Sequence, residues 1–68
     1  MENNRKILME RIVTAIRDAG YIPYNQLMAY LQTGDDRYIT RRDGARALIH
    51  ELDRQELIKF LEKTRNMR

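Results

Sequence analysis

The sequence predicts an all-α fold, a compact bundle of four to five short helices. Three observations carry this. No segment alternates apolar and polar residues with the period of two that a half-buried strand needs. The apolar residues recur instead at three- and four-residue intervals, as they do along one face of a helix. Gly20, Pro23, Gly34 and the Asp35-Asp36 pair fall between these stripes, where helix ends belong.

The first helix is expected over about 4–19, because Leu8, Ile12, Ala15, Ile16 and Ala19 share one face. Gly20 sits where a left-handed residue can close it. The second, 24–33, begins beside Pro23, whose missing N–H would have had no helical partner there anyway. Leu27, Tyr30 and Leu31 form its apolar face and Gly34 closes it. Asp35-Asp36 opens a short turn at 36–39. The next helix is expected over 41–52, with Thr40 as N-cap, Asp43 reaching back in a capping box, and Ala45, Leu48, Ile49 and Leu52 facing inward. Gly44 inside it costs about 1 kcal/mol relative to Ala, which points to the close approach of another backbone. In the last helix, 54–64, Asp53 and Glu56 repeat the capping pattern ahead of Leu57, Ile58, Phe60 and Leu61. Whether it continues the helix before it is open in the sequence. The ends, about 1–3 and 65–68, are expected to fray.

Residues 1–68 make one domain. A chain of this size buries only ~60% of the surface its unfolded form exposes, and its single core seldom supplies more than ~3–5 kcal/mol. There is no cysteine, which excludes disulfides and thiolate metal sites, and the one histidine makes a metal site unexpected. Oligomerisation is the remaining staple, so a homodimer is expected. No run approaches the ~18 apolar residues of a membrane span. The polar start, Met-Glu-Asn-Asn-Arg-Lys, has no signal-peptide apolar region behind it. The expected location is the cytoplasm, with no membrane partner.

Catalysis is not expected. His50 is the only histidine available as a base, and Gly34-Asp35-Asp36 is too short for a phosphate loop and lacks its lysine. No cofactor is implied, and Asp35 and Asp36 read as helix caps rather than a Mg²⁺ site. Binding is the remaining class. The tyrosines Tyr21, Tyr24, Tyr30 and Tyr38 read first as core and rim packing, and second as a self-association surface, since a tyrosine buries its ring while keeping its hydroxyl wet. The arginines Arg41, Arg42, Arg46 and Arg54 read first as a solvated face with weak ion pairs. Arg41 stands out: it falls on the inward stripe of the 41–52 helix, in a first turn whose dipole disfavours a cation. It should therefore have a specific anionic partner, inside the fold or on another protein. Arg42 and Arg46, four apart, would share a flank. The net charge, 13 Lys and Arg against 10 Asp and Glu, is only +3. A helix-turn-helix reader of nucleic acid could use Arg41, Arg42, Arg46 and the basic tail from Lys63 to Arg68. Asp35, Asp36, Asp43 and Glu51 interleave with those arginines and argue against it.

The run Gly20-Tyr21-Ile22-Pro23-Tyr24-Asn25-Gln26-Leu27-Met28-Ala29-Tyr30-Leu31 resembles the G-Y-x-P-x-N-Q-[ILV]-x-x-Y-L pattern of the IreB/ReoM family. Thr33-Gly34-Asp35-Asp36-Arg37-Tyr38-Ile39-Thr40-Arg41 is similar to its S-G-D-P-x-Y-I-x-R, and Asp43-Gly44-Ala45-Arg46, Ile49 and Asp53-Arg54 echo its D-A-R-x-x-I-R-x-L-E-R-D segment. Gly44 stands where the family has aspartate. The likeness covers roughly residues 20–58. It implies an all-α, non-enzymatic, cytosolic homodimer of Gram-positive bacteria. Such a protein would act in the control of cell-wall precursor synthesis and antibiotic tolerance, downstream of a Ser/Thr kinase with PASTA repeats. The implied partners are the Clp protease machinery or the enolpyruvyl transferase of peptidoglycan synthesis. The family's functional arginines would fall on Arg41, Arg46 and Arg54, and a fourth basic position on His50. The family's phosphothreonines lie in a tail before helix one. No such tail is expected here, where the first threonine, Thr14, falls inside that helix, and this weighs against kinase control.

Overall fold

Residues 2–64 are described in a computed structural model. The elements in chain order are α1 (Glu2–Asp18), α2 (Pro23–Thr33), a 3-10 turn at Asp36–Tyr38, a second at Arg42–Gly44, α3 (Ala45–Leu48), a third 3-10 turn at Ile49–Glu51, and α4 (Arg54–Thr64). The all-α class holds, with no strand among the described residues.

The long helix α1 lies against α2, α3 and the 42–44 turn, while α2 and α4 pack on each other. That explains why α1 buries more than the predicted stripe. Leu8, Ile12, Ala15 and Ile16 are buried as expected, but Met9 and Val13 are buried too, and Ala19 only half. The core is completed by Leu27, Ile39, Ala45, Ile49, Leu57 and Leu61, with Tyr24, Met28, Tyr30, Leu31, Leu48, Leu52 and Phe60 packed around it. Glu2 and Asn3, expected to fray, are already in α1. The expectation of fraying at Met1 and at 65–68 lies outside the described residues.

The expected 41–52 helix is not one helix. Thr40 Oγ1 accepts from the Arg42 N–H at 3.2 Å, but Thr40 is not the N-cap: that position falls on Arg41 for the 42–44 turn and on Gly44 for α3, neither with a side-chain cap bond. Three residues after Thr40 the chain leaves helical space: Asp43 has φ +52 and Gly44 has φ +76. Consecutive left-handed residues cannot propagate a right-handed helix, so regular α geometry is confined to Ala45–Leu48 before the backbone tightens again at 49–51. Asp43 therefore makes no capping box; its carboxylate stands 3.9 Å from Arg42 Nε. Nor does Gly44 admit a neighbouring backbone, since a Cβ built there meets nothing within 4 Å. Its role is its positive φ, which glycine adopts without a Cβ clash.

Leu52 is extended (ψ 138), which separates the 49–51 turn from α4. Here the capping box is complete: the Glu56 N–H donates to Asp53 Oδ1 at 2.8 Å and the Asp53 N–H to Glu56 Oε1 at 3.1 Å. The same carboxylate receives the Arg5 guanidinium of α1, with Nε–Oε2 at 2.7 Å, and Arg5 Nη2 reaches the Glu51 carbonyl at 2.8 Å. One arginine thus ties the start of α1 to the start of α4. The Arg5 contact and then the Asp53 amide hold the Glu56 carboxyl well below its ordinary range, at about 2.

Candidate functional site

Of the four basic positions singled out in the sequence, Arg41, Arg46 and His50 line one depression and Arg54 lines another between α2 and α4, and they do unlike things. Arg46, half-buried on α3, donates from Nε to the Ile39 carbonyl at 3.0 Å and from Nη2 to the Arg37 carbonyl at 3.4 Å. These carbonyls end the 36–38 turn and would otherwise lack partners. Arg54, the first residue of α4, donates from Nη1 to the Leu31 carbonyl at 3.1 Å, in the last turn of α2. That helix end is also closed by left-handed Gly34, whose N–H bonds the Tyr30 carbonyl at 2.7 Å. His50 Nε2 lies 2.7 Å from Asp36 Oδ2, and the Tyr30 ring meets the imidazole edge-on with centroids 6.4 Å apart. Asp36 is thereby drawn to the histidine, while Asp35 caps the 36–38 turn through the Arg37 N–H at 2.9 Å.

Arg41 is different. Its side chain is exposed and makes no hydrogen bond or ion pair with any described residue. Of the two kinds of anionic partner expected for it, inside the fold or on another protein, the first is absent among the described residues. The reason is the broken helix: Arg41 precedes a 3-10 turn instead of standing in the first turn of a core-facing helix. It sits on the divide between two open depressions. One, about 400 Å³, is lined by Tyr21, Gln26, Arg37, Tyr38, Ile39, Thr40, Arg41 and Arg46. The other, about 380 Å³, is lined by Asp36, Arg41, Gly44, Arg46, Ala47 and His50.

The first depression holds three arginines and no acid. Arg37 is partly neutralised from outside it by Asp35, at 2.8 Å. The Arg37 side chain, followed by the Arg37 N–H, lowers the Asp35 carboxyl to about 2, and the pairing raises Arg37 in turn. Gln26, from the resemblance motif but not singled out as functional, shapes the rim: its Oε1 accepts from the Thr40 N–H at 2.9 Å and fixes the 37–41 segment to α2. A buried Ile39 pins the same segment from below.

The tyrosines do not form one cluster. Tyr21 and Tyr38 are 56% and 50% exposed and share the Arg41 depression. Tyr24 lies with Met28, Leu31, Ile58 and Leu61 in the groove between α2 and α4, and Tyr30 packs beside His50. Among the threonines, Thr14 is exposed mid-way along α1, whereas Thr33 and Thr64 donate their hydroxyls to the Ala29 and Phe60 carbonyls. Among the described residues no group of three or more His, Asp or Glu could hold a metal ion, and no helix is long and apolar enough to cross a membrane.

The cations of this arrangement suit it to binding an anion. A family model described as "IreB regulatory phosphoprotein" matches residues 1–65. The chain belongs to the IreB family. It is therefore a regulatory protein by kinship, and the IreB match extends well beyond the motif region, taking in the whole of α1 and α4. The residues on which the resemblance places function, Arg41, Arg46, Arg54 and His50, divide in this IreB-family chain into one uncommitted cation and three side chains engaged within the fold.

Proposed function

We propose that this chain is a non-enzymatic adaptor that regulates by binding a partner protein. It engages an acidic patch on that partner through the surface around Arg41, with Arg46, Arg54 and His50 shaping and flanking it. The observation that carries the reading is the unpaired Arg41 guanidinium, exposed between two depressions. A charge that no internal anion stabilises contributes little to the fold, so its value lies in an intermolecular contact. By family resemblance the setting is cytoplasmic control of cell-wall precursor synthesis, with a Clp protease component or a cell-wall enzyme as partner and the working form a homodimer. Kinase control through Thr14, Thr33 or Thr64 is not favoured: Thr14 lies mid-helix, and the Thr33 and Thr64 hydroxyls are already bonded. The helix-turn-helix alternative is not favoured either, because its recognition helix would be the four-residue α3.

The experiment is affinity capture from a nuclease-treated lysate of the source cells, with wild-type bait beside Arg41→Ala. Arg41→Ala is the clean variant, since Arg46 and Arg54 also hold backbone carbonyls. Enrichment of one protein by wild-type bait alone is the expected result. Equal capture by both baits rejects the site, and copurification of nucleic acid in place of protein rejects the reading.

A further inference from the structure

Three of the four large hydrophobic side chains exposed among the described residues, Tyr21, Ile22 and Tyr38, gather at the start of α2 and the end of the 36–38 turn. Two of them, Tyr21 and Tyr38, line the depression that Arg41 borders. From this juxtaposition, and resting on the partner-binding reading above, we infer that the depression docks a short acidic peptide segment of the partner that carries an apolar side chain beside its carboxylate.

Each part of the site selects for one part of such a segment. Arg41 has all its guanidinium N–H groups free and can take a carboxylate in the two-pronged manner that arginine favours. Arg46 uses Nε and Nη2 on backbone carbonyls, so its charge biases the depression towards anions. No acidic side chain lines the depression to oppose this. Tyr21 and Tyr38, each about half exposed, offer ring faces to an apolar side chain while their hydroxyls stay wet. Charge alone would make the site indiscriminate; the pair of rings adds a requirement for an adjacent apolar residue.

A single-stranded nucleic acid also combines stacking bases with anions. The surroundings disfavour it. Asp35, Asp36 and Asp43 lie immediately around the arginines, and a phosphate chain carrying a charge on every unit would have to run past them. A peptide needs to place only one or two carboxylates, over Arg41. The depression is open rather than enclosing, which suits an extended segment lying across it.

The test is selection of a phage-displayed random twelve-residue peptide library on the full chain. The enriched peptides are then titrated against wild type, Arg41→Ala and Tyr21→Ser/Tyr38→Ser. The three side chains changed, Arg41, Tyr21 and Tyr38, are all exposed, and a thermal melt verifies that each variant folds. The expected result is enrichment of Asp or Glu next to Leu, Ile or Phe, with affinity at least tenfold weaker in Arg41→Ala and about fivefold weaker in the double tyrosine variant. Amide shifts in NMR spectra should concentrate at 21–22 and 37–42. Enriched peptides that carry acids alone, or whose binding ignores the tyrosines, overturn the apolar requirement while leaving the Arg41 adaptor reading intact. No enrichment over background overturns the docking site. Displacement of the peptides by a dT oligonucleotide at lower concentration than by unlabelled peptide overturns the choice of a protein ligand.

Discussion

Arg46 Nε donates to the Ile39 carbonyl at 3.0 Å, and through this bond α3 carries the segment that borders the Arg41 depression. A residue that resemblance assigns to partner recognition is therefore also a part of the scaffold. Removing it leaves the part-buried Ile39 carbonyl and the exposed Arg37 carbonyl without their charged donor, a loss on the order of 1–3 kcal/mol carried mainly by the first. Arg41→Ala removes no intramolecular bond and should stay within about 0.5 kcal/mol of wild type. In a chain of this size each kcal/mol moves the midpoint by about 4–8 °C, so thermal melts separate the two variants. Equal melting temperatures would refute the structural role of Arg46.

Arg54 makes the parallel case at the other end of the surface. Its bond to the Leu31 carbonyl joins α4 to the last turn of α2. Arg54→Ala should cost about 1 kcal/mol, less than Arg46→Ala because one bond is lost and the side chain is exposed. Arg54→Lys should recover little, since a shorter point charge does not reproduce the reach of the guanidinium fork. Urea titrations of the three proteins check the order.

The Arg5–Glu56 pair gives an acid-side signature. Glu56 is held at about 2 against an ordinary 4.5, first by Arg5 and then by the Asp53 N–H. A carboxyl depressed in the folded state stabilises the protein above its unfolded value and ceases to do so as pH falls through the folded one. The contribution should fade between pH 4.5 and about 2. In Arg5→Met the acid limb of stability against pH should be shallower across that window, with most of the difference from wild type gone at its lower end. An unchanged acid limb would contradict the clamp.

The Asp43-Gly44 break predicts opposite effects for two neighbouring substitutions. Gly44→Ala forces a Cβ into φ +76 with no compensating contact, and should destabilise by about 1 kcal/mol. Asp43→Gly relieves a non-glycine residue at φ +52 and should be neutral or slightly stabilising, its gain offset by a more flexible unfolded chain. If 41–52 were a continuous helix, Gly44→Ala would stabilise instead, so calorimetry of this one variant decides the matter.

Sequence reading recovered what local chemistry determines. Pro23 and Gly34 mark the ends of α2, and the Asp53/Glu56 box marks the start of α4, because each acts within its own few residues. The break within 41–52 is not determined locally. Thr40 and Asp43 fit a capping pattern and the apolar spacing from Ala45 to Leu52 is helical, whereas Asp-Gly is equally a turn signal. The turn goes with tertiary packing of α3 and the 42–44 turn against α1. The divided roles of the arginines were not legible. Which carbonyl Arg46 or Arg54 meets depends on how distant turns and helices come together, nine and twenty-three residues away in the chain. Gln26 was passed over for the same cause, its partner being the Thr40 amide.

The segment from Arg37 to Arg41 lacks regular structure over most of its length, yet it hangs from the Gln26 and Arg46 side chains and from the buried Ile39. It should behave as a rigid shelf. Its Thr40 amide should exchange with deuterium as slowly as amides within α2, and no faster mode should belong to the segment alone. A ligand arriving at Arg41 then meets a surface already in its bound shape, so that little ordering entropy opposes association and a modest contact area can suffice.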